Sequence, residues 1–161
     1  MKFLLDTTAV IAILNGEPAM LARLHAWQPA DFGIPAIVAH ELYYGAYKSR
    51  RAAANVARVD AFQFEVVPFD TEDAQHAGEI RAHLIAAGTA IGPYDALIAG
   101  QARARHLVLV THNVGEFGRV PRLQFEDWLA EPSEGRAADR ARATLTSLPG
   151  ERSIDYKKRP K

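Results

Sequence analysis

Five short apolar runs recur along the chain, each long enough for one buried strand and no more. They are Lys2 to Asp6, Phe32 to Ile34, Phe64 to Pro68, His106 to Thr111 with its LVLV core, and Leu123 to Phe125. Between them lie longer stretches with helical spacing. Strands that alternate with helices predict a three-layer α/β domain, a central and mostly parallel sheet flanked by helices. In such sheets ligands bind beyond the carboxyl ends of the strands, so the residues just after each run are where chemistry is expected.

The helical stretches carry their own start and stop signals. Thr7 or Thr8 is placed to cap a helix over 9–14 that stops at Asn15-Gly16. A second helix spans 17–27, with Pro18 in its first turn. Pro35 leads into a long helix over 36–48, and a basic helical segment follows over 50–62. Asp70-Thr71-Glu72-Asp73 starts a helix whose buried face is Ala77, Ile80, Leu84 and Ala87, and Gly88 ends it. Gly92-Pro93 opens a helix over 94–105.

Three polar residues fall near strand ends or helix starts, and a fourth lies within a helix. Asp6 ends the first run, Asp95 lies in the first turn after Gly92-Pro93, and Asn113 follows the LVLV strand by three residues. Glu41 lies mid-helix among Ile37, Val38 and Leu42. Taken singly, each has an ordinary structural role: helix cap, first-turn acid, solvated helix face or turn residue. The combination weakens those ordinary readings, because a carboxylate directly after a buried strand points into the crevice at the strand ends, and two or three meeting there would repel. Two unit charges ~4 Å apart repel by about 4 kcal/mol at an effective dielectric of 20. A raised pKa or a bound cation relieves that repulsion. The chain has no cysteine, so any metal must be held by Asp, Glu, Asn or His. Oxygen ligands suit Mg²⁺ or Mn²⁺.

The segments LLDTTAVIAILNG (4–16), IPAIVAHELYYGAYKS (34–49), IGPYDALIAGQARARHLVLVTHNVGEF (91–117) and RVPRLQFEDW (119–128) together resemble the PIN-domain family. More closely they resemble the VapC-type toxins of bacterial toxin–antitoxin modules. The resemblance covers residues 1–130, in the family's order and spacing. It implies a three-layer PIN-like domain and a Mg²⁺- or Mn²⁺-dependent endoribonuclease. Asp6, Glu41 and Asp95 match the first three acidic motif positions, as catalytic residues and metal ligands. Asn113 falls at the fourth, where many relatives carry Asp, which puts a second metal ion in doubt. Glu116 is near enough to substitute, and Thr7 and Thr111 match hydroxyl positions that orient ligands or water. The resemblance further implies products with 5′-phosphate and 3′-hydroxyl ends, a homodimer, and a cognate VapB-like antitoxin that covers the acidic pocket. A non-catalytic PIN-like module that binds RNA or protein is the competing reading, favoured by Asn113 and opposed by the three intact acids. A small-phosphoester hydrolase would want a second Asp two residues after the first, where this chain has Thr8. A Rossmann site would need a GxGxxG segment, and there is none.

Charge divides the 161 residues unevenly. Residues 1–130 carry 11 Lys/Arg against 14 Asp/Glu, and 131–161 carry 8 against 5, so a −3 body and a +3 extension cancel to zero. The extension is read as a partly disordered basic tail, with one helix over 136–145. An apolar N-terminus interrupted by Asp6 does not read as a secretory signal, and no run approaches the ~18 apolar residues of a membrane span; a cytoplasmic protein is expected. The six histidines show no metal-ligand spacing and are read as surface or structural, with His112 nearest the pocket. Tyr43, Tyr44 and Tyr47 are read as core or subunit contacts. The basic stretch Lys48, Arg50, Arg51 and Arg58 is the first candidate for RNA phosphate contacts, and the tail the second.

Overall fold

A computed structural model describes residues 1–130. The expectations for 131–161, the partly disordered tail and its helix over 136–145, lie outside the described residues. The first strand, β1 (Phe3–Leu5), is wholly buried and leads into α1 (Thr7–Asn15). Asp6, rather than either threonine, caps that helix: it is extended at φ −80°, ψ 177°, and its side chain accepts the Ala9 N–H. Gly16, at φ 74°, closes α1 in the left-handed conformation that suits glycine. Then come α2 (Pro18–Leu24), shorter than expected, β2 (Phe32–Pro35) and α3 (Ala36–Lys48), whose limits match the sequence expectation. The basic segment forms α4 (Ala52–Asp60), followed by β3 (Glu65–Val67).

Next is α5 (Thr71–Ala86), opened by a reciprocal capping box in which Asp70 and Asp73 each accept the other's backbone N–H. Ala77, Ile80 and Leu84 of its expected face are buried. Ala87 lies beyond the last turn and is exposed, because the chain is already turning toward Gly88 at φ 68°. The remaining elements are α6 (Pro93–Ala104), β4 (Val108–Val110), a four-residue α7 (Val114–Phe117) not expected from sequence, and β5 (Phe125–Glu126).

All strand pairs are parallel, in the order β3-β2-β1-β4-β5. The chain builds outward from β1 to β3 on one side, then crosses to β4 on the other. The crossing makes β1/β4 the topological switch point. Its carboxyl ends place Asp6 and Thr111 side by side.

The tightest helix contact is α5 on α6. A Cβ added at Gly100 would come within 2.6 Å of the Ala77 Cβ and backbone nitrogen, which have no flexible end to move. Gly100→Ala is therefore expected to separate the two helices and to destabilise the domain by about 1–3 kcal/mol. Chemical denaturation measures this, and an unchanged midpoint would show that the pair relaxes freely.

Candidate active site

The site grows from the ends of β1 and β4. Asp6 is 3 % exposed, and both of its oxygens are committed. Oδ1 accepts the Ala9 N–H and the Thr8 hydroxyl, each at 2.8 Å, and Oδ2 accepts the Thr111 hydroxyl. Burial raises the Asp6 pKa, and these hydrogen bonds only partly oppose it. Thr111, itself buried, also accepts the Asn113 N–H at 2.9 Å, so one hydroxyl ties β1 to the segment after β4.

Glu41 faces this crevice from α3, half-buried, and accepts the Thr7 hydroxyl. It is not on a freely solvated face. Asp95 enters from the first turn of α6. Its carboxyl is pushed up to about 7, first by burial, then by the hydrogen bond and charge of Glu116, then by the charges of Glu41 and Asp6. Glu116 moves the other way. The hydrogen bond from Asp95 holds it below the usual carboxylate range, helped by the Gly92 N–H at 3.1 Å. The proton of the pair therefore rests on Asp95. Asn113 reaches Asp95 at 3.5 Å, the outer limit of a hydrogen bond, and its side chain does not cap α7 although it sits at the capping position.

The structure thus gathers Asp6, Glu41, Asp95 and Asn113 and adds Glu116 to them. Sequence spacing noted Glu116 only as a substitute for Asn113. The single turn of α7 is what turns it toward Asp95, and four residues are too few to show a helical period. Among the described residues, none of the four carboxylates forms an ion pair. His112 is exposed and its ring faces Asp127 at 3.0 Å. Of the basic stretch, Arg58 donates to the Leu14 carbonyl at 2.6 Å and Lys48 lies over the Tyr44 ring; Arg50 and Arg51 are exposed. Tyr44 and Tyr47 are 60 % and 68 % exposed, so they are not core residues. They sit on the α3 side turned away from buried Val38, Leu42 and Ala46.

Among the described residues, no three acidic, His or Cys side chains form a ready-made metal-holding cluster. The donor chemistry nevertheless fits a hard divalent ion. The ligands are all oxygen, among the described residues only Glu116 feels a nearby positive charge, that of Arg119, and Asp95 keeps a proton that a cation would displace. Mg²⁺ usually keeps several waters and takes only one or two carboxylates directly, so a closed cage is not required. Among the described residues, no helix is long and apolar enough to cross a membrane.

Comparison with known proteins agrees with this fold. The PIN domain model matches residues 3–123. The tRNA(fMet)-specific endonuclease VapC of Salmonella typhimurium is 42 % identical over 130 residues, covering 80 % of this chain and 98 % of the relative. Ribonuclease VapC2 of Haemophilus influenzae is 34 % identical over 131 residues, covering 80 % of this chain and 99 % of that protein. Among solved structures, DNA-bound VapBC from Salmonella typhimurium matches with a TM-score of 0.75 at 42 % identity, over 80 % of this chain and 98 % of that one. VapBC2 from Rickettsia felis, bound to a promoter DNA fragment, matches with a TM-score of 0.73 at 34 % identity, over 80 % and 99 %. The chain belongs to the PIN domain family, with VapC ribonucleases as its relatives.

Proposed function

We propose that this protein is a VapC-type endoribonuclease toxin that hydrolyses RNA phosphodiester bonds with Mg²⁺ or Mn²⁺. The observation that carries the reading is the group of four carboxylates, none in a direct ion pair among the described residues, in which Asp95 is held at about 7. Asp95, Asp6 and Glu41 would hold the ion, directly or through water, with Asn113 beside them. When bound, the ion supplies charge stabilisation at the phosphate and lowers the pKa of a coordinated water.

The chain's own groups do the rest. Thr8, Thr111 and the Ala9 N–H fix the Asp6 carboxylate, so its orientation does not have to be set during the reaction. Thr7 holds Glu41 where it accepts a proton from the attacking water. The oxygen of that water bonds to phosphorus, the bond to the 3′ oxygen breaks, and the 3′ oxygen takes a proton from solvent, leaving 5′-phosphate and 3′-hydroxyl ends. Glu116 draws the proton of its pair onto Asp95 until a cation replaces it.

The Salmonella relative names tRNA(fMet) as its substrate, which makes that RNA the first to test here. The matched VapBC complexes support a VapB-like antitoxin as partner, which would cover the acidic crevice, and we extend the reading to a cytoplasmic homodimer. Purified protein is expected to cut tRNA(fMet) in Mg²⁺ or Mn²⁺ and to stop in chelator. Sequencing of the cut ends identifies the site. Cleavage that persists at full rate in excess chelator would overturn the metal role, and a protein that binds RNA without cutting any of it would favour the non-catalytic reading.

A further inference from the structure

Two aromatic rings stand on the rim of the acidic crevice, each one residue ahead of an acid that the crevice gathers. His40 precedes Glu41 on α3, and Tyr94 precedes Asp95 in the first turn of α6. Their ring centroids lie 5.8 Å apart and the ring planes cross at 84°, an edge-to-face pair that joins the two helices. In that geometry the partner ring covers one face at most, so the other faces stay open. Both side chains are exposed, Tyr94 by 45 %. The core behind them uses neither ring: α3 packs through Val38, Leu42 and Ala46, and α6 through Ala96, Ile98 and Ala99.

The exposed side of α3 carries related chemistry away from the crevice. Tyr44, one turn after His40, is 60 % exposed, and Lys48 Nζ lies 5.6 Å from its ring centroid. Arg50 and Arg51, both exposed, follow the end of the helix. Open rings followed by cations fit a single nucleic-acid strand, whose bases offer π faces and whose phosphates offer charge. A cationic protein segment drawn to the four acids would meet like charge at this end of α3.

We propose that Tyr94 and His40 form a stacking ledge for the nucleobase next to the phosphate held in the crevice, and that the RNA strand leaves along Tyr44 and Lys48. The proposal rests on the reading of the crevice as an RNA-cutting site. Stacking fixes the nucleotide beside the reacting phosphate, so part of its orientation is set by groups that take no part in making or breaking bonds.

The test is RNA binding by the full chain in Mg²⁺, measured by fluorescence anisotropy in the Asp95→Asn background so that the strand stays whole. Two ligands of equal length and charge are compared: single-stranded oligoadenylate and the same strand made of abasic ribose phosphates. Tyr94→Leu and His40→Ala each remove a ring, and because both side chains are exposed neither change opens the core. Tyr94→Phe keeps a ring. The parent is expected to prefer oligoadenylate. Tyr94→Leu should bind oligoadenylate about tenfold more weakly and the abasic strand unchanged. His40→Ala should show the same selective loss, and Tyr94→Phe should bind as the parent does. A folding defect would weaken both ligands together, so the difference between them isolates the base. Base-dependent binding through Tyr94 in a protein whose wild type cuts no RNA would keep the ledge and remove the cleavage reading. Cleavage by the wild type, with oligoadenylate bound equally by the parent and Tyr94→Leu, would remove the ledge alone. Binding of neither strand, equal affinity of the parent for both, or equal loss of both in Tyr94→Leu would overturn the proposal and leave the rings to a protein partner.

Discussion

Asp95→Asn is expected to abolish RNA cleavage and, in chelator, to raise the melting temperature of the same protein. The loss of activity follows from removing a charge that the reaction needs; removing a single electrostatic contact of this kind typically costs on the order of 10²–10³-fold in rate, and a metal ligand costs at least that. The gain in stability follows first from the burial of the Asp95 carboxyl and then from the carboxylates around it. In the folded protein its carboxyl ionises near 7, against an ordinary value of 3.8. The folded state therefore binds this proton more tightly than the unfolded chain. The stabilisation it brings is complete below pH 3.8 and is lost as pH rises through about 7. In chelator, the melting temperature of the wild type should fall across that window, and the fall should be smaller in Asp95→Asn. Mg²⁺ should restore stability to the wild type and much less to the variant. Equal melting curves in chelator at pH 8 would show that Asp95 carries no electrostatic strain. Full cleavage by the variant would remove it from the reaction.

The second large effect is expected far from that crevice. Asp73 is 1 % exposed and joins the start of α5 to the end of α6. It accepts from Arg105 at 3.0 and 2.8 Å, from the Gln101 amide at 3.1 Å and from the Asp70 N–H at 3.0 Å. Burial pushes its pKa up, but the Arg105 hydrogen bonds and charge, with Asp70 and Gln101, outweigh burial and hold the carboxyl below its ordinary value. Asp73→Ala leaves the Gln101 amide and the Arg105 guanidinium short of partners, so a loss of about 3–5 kcal/mol is expected, the range for breaking one side of a buried pair. Asp73→Asn keeps the shape and some hydrogen bonds and should lose less. The pH dependence has the opposite sense to that of Asp95. A depressed carboxyl contributes stability that is present above its unfolded pKa of 3.8 and is lost as pH falls through the folded value. Acid unfolding of the wild type below about pH 4 should thus be blunted in Asp73→Asn. A denaturation midpoint unmoved in Asp73→Ala would refute the assignment.

Local signals carried most of the architecture. Pro35 and Lys48 bound α3 because a helix start and a helical period kept over thirteen residues are both local properties. The Asp70–Asp73 box is likewise written into four consecutive residues. What escaped depends on distant partners. Either threonine after Asp6 is an equally good capping residue by type; Asp6 wins because β1 delivers it already extended, with its oxygens within reach of the Ala9 N–H. Tyr44 and Tyr47 have apolar bodies, but the face of α3 that packs inward is set by Val38, Leu42 and Ala46. The site shows the same division. Asp6 was legible from residue type and strand-end position, whereas Glu41, inside α3, and Asp95, in the first turn of α6, stood out through the family resemblance. The proton shared by Asp95 and Glu116 was not legible, since it depends on a one-turn helix folding back on Gly92. His40 and Tyr94, unremarkable in sequence, come together only because α3 and the start of α6 meet at the rim of the crevice.

The order of the strands also bears on how such a chain is made. Asp6 is synthesised almost at once, yet the hydroxyl that orients it lies 105 residues later. At about 5–20 residues per second, a ribosome needs roughly 5–20 s to cover that interval. The central strand has only one neighbour until β4 arrives, and Asp95 and Glu116 appear only shortly before the domain ends. A nascent chain therefore carries half of a crevice for most of its synthesis. The complete arrangement forms as a late event, when a partner made alongside it can already be waiting.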